Sequence, residues 1–262
     1  MVEFALRGAR ILRRRGTESV DIQEGFKGRF KHHCRTLNPL EFVKAYKFLK
    51  HRRSGGESDR WNFRQALIDF FTDLLFIKKK ATDGLQGKIH TGFLNAYSSS
   101  KLSWEKIVRK AVAGNDKTII ICGHSLGAAL ASLAAAYLLT DFKGRVRLYT
   151  FGSPRVGNKE FVTSLTGVIH ERYMDCRDIV TRVPSEWLCY AHHGDLRYIF
   201  SDGRIETNPE TSAINNDRCK AFFSYFCDYK IRLFPNDNDN VWLRDLADHT
   251  PINYVSGVLG LR

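Results

Sequence analysis

The fold of this chain is decided by the stretch Thr-Ile-Ile-Ile-Cys-Gly-His-Ser-Leu-Gly, residues 118–127. An aliphatic, β-branched run that ends at a glycine predicts a buried parallel strand. The segment that follows, Leu126 to Leu139, is rich in Ala and Leu, which predicts a tightly packed helix. Strand, G-x-S-x-G motif and helix therefore follow one another, and Ser125 lies on the turn between strand and helix.

The G-x-S-x-G motif is informative only in this setting, since it occurs by chance in unrelated proteins. In so tight a turn a side chain at Gly123 or Gly127 would collide with the neighbouring strand or helix, and Ala128 lets the helix lie close. The alternative is that Ser125 merely caps the helix, as small hydroxyl residues often do. We expect an α/β fold with a mostly parallel central sheet flanked by helices and a nucleophile elbow after a central strand.

Charge is distributed unevenly along the 262 residues. The net charge is +13, and 43% of the residues are hydrophobic, which is typical of a globular protein. Residues 1–64 contain 16 Lys/Arg against 7 Asp/Glu, whereas residues 65–262 contain 25 against 21. We therefore predict two parts. Residues 1–64 are a basic N-terminal segment whose helices pack onto the core or which is partly flexible, and residues 65–262 are the α/β domain that contains the serine turn.

The basic clusters of the N-terminal segment bear on possible partners. Arg13–Arg15, Lys27–Lys31 and Lys50–Arg53 could attract an anionic membrane surface peripherally, although a solvated positive surface is the simpler interpretation. Nucleic acid is not an expected partner, because no zinc-finger spacing, basic aromatic sheet motif or helix-turn-helix is present. The sequence does not determine an oligomeric state.

The first fifteen residues do not resemble a secretory signal. Arg7 and Arg10 interrupt the apolar run, and Glu3 lies near the start. The longest apolar segment, Ala128 to Leu139, is shorter than the roughly 18 residues that cross a bilayer. We therefore expect an intracellular protein, possibly peripheral to a membrane, without a secretory signal or transmembrane helix.

No metal or cofactor is expected. Without a signal segment, the six cysteines are taken as free thiols rather than disulfides. None forms a C-x-x-C pair, and His32-His33-Cys34 has no matching partner pair that would complete a metal site.

A serine nucleophile needs a histidine base and a carboxylate that orients the histidine. In such folds the carboxylate and then the histidine follow the serine along the chain. By their spacing along the chain, Asp178 and Asp175 are almost equally good candidates for the acid, and Asp195 is a more distant candidate. His249 is the last histidine and precedes a turn into a predicted terminal helix, while His192 and His193 are the alternatives.

Several motifs, spread over roughly residues 70 to 260, occur in the order of a known family. In chain order they are His90-Thr91-Gly92-Phe93, the elbow 123–127, Phe151-Gly152-Ser153-Pro154-Arg155-Val156-Gly157-Asn158, Asp178 to Pro184, Tyr190-Ala191-His192-His193-Gly194, and Asp248-His249. With these motifs the chain resembles the class 3 (fungal-type) lipases, a family of the α/β-hydrolase superfamily.

The resemblance implies a role for each candidate. Asp178 opens the family's D-x-V-x-x-x-P segment and would be the acid, and His249 of the C-terminal D-H motif would be the base. Ser125 would attack the ester carbonyl, and the backbone N–H of Leu126 would be one oxyanion donor. The implied activity is that of a serine esterase or lipase acting on acylglycerols or related lipids.

The chain departs from the family where the second oxyanion donor is expected. The family carries F-R-G followed by Ser or Thr, whereas here Phe63-Arg64 is followed by Gln65-Ala66. The apolar segment after it would form a lid exposing Phe70, Phe71, Leu74 and Leu75, or an ordinary core helix. The altered loop raises a second hypothesis, a catalytically impaired lipase-fold protein that binds lipid or a protein partner.

Overall fold

The computed structural model describes residues 2–4, 77–82, 84–230 and 244–260. The strands are β1 (Val2–Phe4), β2 (Lys78–Lys80), β3 (Lys88–His90), β4 (Ile119–His124), β5 (Val146–Phe151), β6 (Ile169–Asp175), β7 (Asp195–Ile199) and β8 (Ile205–Thr207). The helices are α1 (Thr91–Val112), α2 (Leu126–Leu139), α3 (Lys159–Ser164), α4 (Thr211–Lys230), α5 (Arg244–Ala247) and α6 (Pro251–Val258). Two short 3-10 helices cover Val180–Arg182 and Glu186–Leu188.

The strands form a six-stranded sheet and a separate two-stranded one. The large sheet has the order β1-β4-β5-β6-β7-β8, parallel throughout except for the antiparallel pair β7 and β8. The small sheet pairs β2 with β3 antiparallel. The parallel strands β4, β5 and β6 end at one edge, where the loops of an α/β fold place ligand-binding residues.

The helices that cover the sheet are held by apolar side chains. In α2, twelve of the fourteen residues are buried, so the helix lies inside the protein rather than on its surface. Helix α1 buries one stripe only, with Phe93, Tyr97, Trp104 and Val108 at helical spacing. The core therefore lies between the central strands and these two helices, which fixes the turn that joins β4 to α2.

The predicted fold class is confirmed. The strand at residues 118–122 is β4, the Ala/Leu-rich segment is α2 with the predicted limits, and the sheet is mostly parallel. Of the predicted segment 1–64 the structure describes Val2–Phe4, which form an edge strand rather than a helix. The division at residue 64 therefore stays a prediction.

Two further predictions lie outside the described residues: the oxyanion loop at Phe63 to Ala66, and the lid. The lid residues are Phe70, Phe71, Leu74 and Leu75. Within the described part of the chain, no helix has the length and apolarity that crossing a lipid bilayer requires.

Candidate active site

The turn after β4 holds Ser125 in an unusual backbone conformation, with φ 57° and ψ −126°. Such a conformation costs of the order of 1–3 kcal/mol and persists only where the surroundings enforce it. Here the Ser125 N–H donates to the Phe151 carbonyl at 3.0 Å. A Cβ at Gly123 would approach the Gly127 carbonyl oxygen to 2.3 Å, so a glycine is needed for the helix to leave the strand this closely. The elbow predicted from the sequence is present.

The imidazole of His249 bridges the serine and a carboxylate. His249 Nε2 lies 2.8 Å from Ser125 Oγ, and Nδ1 lies 3.0 and 2.9 Å from the two carboxylate oxygens of Asp178. Since the carboxylate only accepts, Nδ1 carries the proton, and Nε2 is then free to accept the hydroxyl proton of Ser125. The imidazole and the carboxylate are both almost fully buried.

The carboxylate of Asp178 is held by two further donors. The backbone N–H of Val180 donates to Oδ1 at 2.8 Å, and the Tyr254 hydroxyl donates to Oδ2. The same hydroxyl oxygen accepts the Asp175 N–H at 3.1 Å. Burial, followed by the negative charge of Asp178, raises the pKa of Tyr254 well above its usual value, so the hydroxyl keeps its proton. Tyr254 therefore ties helix α6 to the acid.

Sequence reasoning missed Tyr254 and Gly152 as site residues. Gly152, at the end of β5, has φ 59°, and a Cβ there would lie 2.8 Å from Asp178 Oδ2 and 2.9 Å from His249 Nδ1. A side chain at this position would occupy the space between the acid and the base. Tyr254 follows His249 by five residues and lies in no motif, whereas Gly152 lies in the motif 151–158, which by itself assigns it no role at the site.

His124 packs against the base from the elbow side. Its ring centroid lies 4.7 Å from that of His249, and its Nε2 is 2.8 Å from the His249 backbone carbonyl, to which it donates. Burial, and then the neighbouring His249, lower the pKa of His124 to about 4. His124 is therefore neutral at physiological pH and supports the base without adding charge.

The other candidates for the acid and the base occupy other positions in the fold. Asp175 is the buried last residue of β6 and is separated from the His249 ring contacts by the turn that leads to Asp178. Asp195 is exposed at the start of β7, where its Oδ1 accepts the Asn208 amide at 3.1 Å. His192 Nε2 donates to the Thr181 carbonyl at 2.7 Å, and His193 Nδ1 lies 3.2 Å from His170 Nδ1.

Leu126, the predicted oxyanion donor, is the first residue of α2. The first N–H groups of a helix have no partner within the helix and point toward its N-terminal end, beside Ser125. Among the residues the structure describes, no group of three or more His, Cys, Asp or Glu side chains is arranged to hold a metal ion. In the part of the chain that the structure describes, Cys176, Cys189 and Cys219 form no disulfide.

The chain is similar to known lipases over part of its length. Residues 62–187 match the family described as Lipase (class 3). A secreted mono- and diacylglycerol lipase 1 of Fusarium solani is 41% identical over 108 residues, which is 40% of this chain and 32% of that protein. A lipase of Rhizopus niveus is 31% identical over 165 residues, 60% of this chain and 41% of that protein. The chain thus spans about a third to two fifths of the length of these relatives.

A solved structure has the same fold. The triacylglyceride lipase of Rhizomucor miehei matches with a TM-score of 0.50 and 27% sequence identity, over 56% of this chain and 60% of that chain. A parallel sheet whose elbow serine contacts a His–Asp pair defines an α/β-hydrolase. Together with the match to residues 62–187, this fold and site make the chain similar to the class 3 lipases.

The prediction of an intracellular location is wrong. The similar proteins of Fusarium solani and Malassezia restricta are named secreted mono- and diacylglycerol lipases, which points to an extracellular location. The prediction rested on the charges within residues 1–15 and on the short apolar segment Ala128 to Leu139, and neither feature determines a compartment.

The contact between Tyr254 and Asp178 predicts the behaviour of Tyr254→Phe. We expect turnover to fall about tenfold with little change in KM, because a hydrogen bond to a charged group contributes roughly 1.5–3 kcal/mol and here serves to orient the acid. Steady-state hydrolysis of a p-nitrophenyl ester measures both constants. Tyr149→Phe, on β5, is the control and should be unchanged. Equal turnover in the Tyr254 variant would contradict a positioning role.

Four histidines with lowered pKa values predict acid destabilisation. Burial is the first cause for His124, His170, His192 and His193. Below the unfolded-state pKa of about 6.5 the unfolded chain binds protons that the folded chain does not, so stability falls as pH decreases from about 6.5 toward 4. His124 alone contributes of the order of 2–3 kcal/mol by pH 4.

Urea unfolding between pH 4 and 7.5 measures this dependence. We expect the free energy of unfolding to decrease steadily below pH 6.5, and His124→Asn to make the decrease shallower. A free energy of unfolding that stays level between pH 6.5 and 4.5 would show that these imidazoles are protonated in the folded protein.

Proposed function

We propose that this chain is a serine esterase that hydrolyses carboxylic esters of acylglycerols or related lipids through an acyl-enzyme. The observation that supports this most directly is the unbroken hydrogen-bond path from Ser125 Oγ through His249 to the Asp178 carboxylate. The match of residues 62–187 to the class 3 lipase family supports the same assignment. In this proposal Ser125, His249 and Asp178 are nucleophile, base and acid.

Each step uses a contact described above. His249 Nε2 takes the Ser125 proton while Oγ attacks the ester carbonyl, and the resulting imidazolium is stabilised by Asp178 through Nδ1–H. His249 then gives the proton to the leaving alcohol, which leaves an acyl group on Ser125 Oγ. Water, deprotonated by His249, attacks the acyl carbon and releases the carboxylic acid, and the proton returns to Ser125.

The negative oxygen of the tetrahedral intermediate needs donors. We assign one of them to the Leu126 N–H, because the N-terminus of a helix concentrates unpartnered N–H groups and positive dipole at Ser125. The second donor would come from the loop at Gln65-Ala66. Loss of one such donor costs about 100- to 1,000-fold in turnover, so a changed loop is compatible with a slow enzyme.

The substrate class is proposed from the relatives. The Fusarium solani protein is named a mono- and diacylglycerol lipase, and an Arabidopsis thaliana relative is named a phospholipase A(1). Both names describe hydrolysis of acyl esters of glycerol. Rates on p-nitrophenyl esters of graded chain length, compared with mono- and diacylglycerol and with phosphatidylcholine, test the chemistry and the headgroup together. Absence of turnover on every one of these esters would contradict the proposal.

The alternative of an impaired lipase-fold protein rests on the altered Gln65-Ala66 loop. Labelling with a fluorophosphonate separates the two, since an activated serine reacts with this reagent and an ordinary hydroxyl does not. Stoichiometric labelling of Ser125 supports the esterase. An unlabelled Ser125 in the folded protein supports a binding function.

We propose that exposed apolar side chains in the segment that follows Asp178 in the sequence bind a lipid surface. Trp187 is 95% exposed in the 3-10 helix Glu186–Leu188, and Leu188 is 42% exposed beside it. Aromatic and aliphatic side chains of this kind insert into the boundary of a lipid layer. The segment 1–64 and the lid residues would add to this surface in the proposed arrangement. Trp187→Ala should weaken sedimentation with phosphatidylglycerol vesicles while leaving hydrolysis of soluble esters unchanged.

A further inference from the structure

Arg172 is a buried cation that forms no ion pair with any side chain that the structure describes. It lies on β6, its side chain shares one face of the strand with His170, and the residue is 8% exposed. Its Nε is buried with no hydrogen-bond partner, and across residues 77–82, 84–230 and 244–260 its guanidinium forms no ion pair. Charged side chains are rarely buried unless they are paired, so this one is exceptional.

The guanidinium stays charged in this position. Burial, and then the positive charge of Arg155, lower the pKa of Arg172 to about 10, which is still well above neutral pH. A buried charge with no partner is strongly destabilising, because the protein does not replace the water that solvated it. Some anion is therefore expected at the guanidinium.

The neighbouring side chains do not provide that anion. Glu186, whose charge acts on Arg172, has a side chain that is 71% exposed and that binds Arg155 Nη2 at 2.5 Å. His170 and His192 have pKa values lowered by burial and are neutral imidazoles at physiological pH. Tyr254, the other group that acts on Arg172, is a protonated hydroxyl.

A pocket opens beside the guanidinium. Its cavity volume is about 10 Å³, which is about enough for one particle the size of a water molecule, and it is partly open to solvent. Its polar lining consists of Ser132, Ser153, His170, Arg172, His192 and His193. Phe161 and Leu165 contribute apolar walls, and these limit the hydration of any charge inside. Both serine hydroxyls donate to backbone carbonyls, so the charged N–H groups that remain for a ligand belong to Arg172.

We propose that this pocket is a binding site for a single halide ion, held against the guanidinium of Arg172. Guanidinium groups bind such anions through charge-assisted hydrogen bonds. The pocket is distinct from Ser125 but connected to the acid: His192 donates to the Thr181 carbonyl at 2.7 Å, and the Thr181 hydroxyl donates to the Asp178 carbonyl at 2.8 Å. Anion binding should therefore stabilise the loop that holds Asp178.

Thermal unfolding of the full 262-residue chain tests the proposal. Sodium gluconate keeps the ionic strength constant while it is replaced by sodium chloride. We expect Tm to rise by about 5–10 °C at chloride concentrations roughly a hundredfold above Kd. A Tm that does not respond to chloride overturns the proposal.

Matched variants assign the effect to this pocket. Arg172→Gln should lose the dependence on anion, whereas Arg147→Gln, which removes the same charge from an exposed position on β5, should keep it. An equal response in wild type and Arg172→Gln overturns the proposal. If Arg172→Gln does not fold, crystals of the wild-type protein soaked in bromide decide, because an anomalous peak at the guanidinium supports the site and an empty pocket contradicts it.

Discussion

Ser125→Ala is expected to abolish ester hydrolysis while the protein stays folded. The substitution removes the only atom that can carry the acyl group in the proposed mechanism and leaves a methyl group where Oγ contacts His249. In a well-studied triad enzyme the loss of the nucleophile lowers turnover by about 2 × 10⁶-fold, and a loss of this order is expected here. The measurement is the initial rate on p-nitrophenyl esters, with burst kinetics to detect the acyl-enzyme.

A surface serine provides the control for that experiment. Ser99 is exposed on α1, and its hydroxyl donates only to the Ala96 carbonyl, so Ser99→Ala should leave the rate unchanged. Activity that survives Ser125→Ala at the wild-type level would exclude Ser125 as the nucleophile. It would also exclude the acyl-enzyme route.

Asp178→Asn should cause the second-largest loss, about 10⁴-fold in turnover by analogy with a serine protease triad. The reason lies in the tautomer of His249. The Val180 N–H that binds Oδ1 can only donate, so the amide oxygen of Asn would take the Oδ1 position and its NH₂ the Oδ2 position, 2.9 Å from His249 Nδ1. Nδ1 would then have to accept, and the proton would move to Nε2. The imidazole could no longer take the proton of Ser125.

The loss of turnover should depend on which carboxylate is replaced, not only on the removal of one negative charge. Asp195→Asn removes another candidate carboxylate, which is exposed at the start of β7. This variant should keep wild-type turnover. Circular dichroism and the unfolding midpoint would show that Asp178→Asn is folded. Wild-type turnover in a folded Asp178→Asn protein would mean that another group orients His249.

The elbow could be predicted because its causes are local. The β-branched run ends at Gly123, and the chain enters α2 three residues later, so the geometry depends on residues within a single turn. The limits of α2 follow from an uninterrupted series of small and aliphatic residues. In both cases backbone sterics and helix packing act between sequence neighbours, so a single sequence contains the necessary information.

The choice between Asp178 and Asp175 could not be made from spacing. Both residues lie near the end of β6, three positions apart, and either could reach the sheet edge in an extended chain. The Asp178 N–H donates to the Asp175 carbonyl at 2.8 Å, and this turn brings the later carboxylate to His249. The resemblance to class 3 lipases favours the same residue, and its catalytic role stays a prediction until the Asp178 variant is measured.

What the sequence determined by itself is therefore the strand, the serine turn, the buried helix and the order of the candidate residues. The tertiary structure alone decided three other features: the empty space that Gly152 leaves between acid and base, the Tyr254 hydroxyl on Asp178, and the unpaired charge of Arg172. Each of these depends on atoms brought together from strands and helices far apart in the chain. Local propensity and residue spacing cannot predict such contacts, because the contacts form only when the sheet and its covering helices pack.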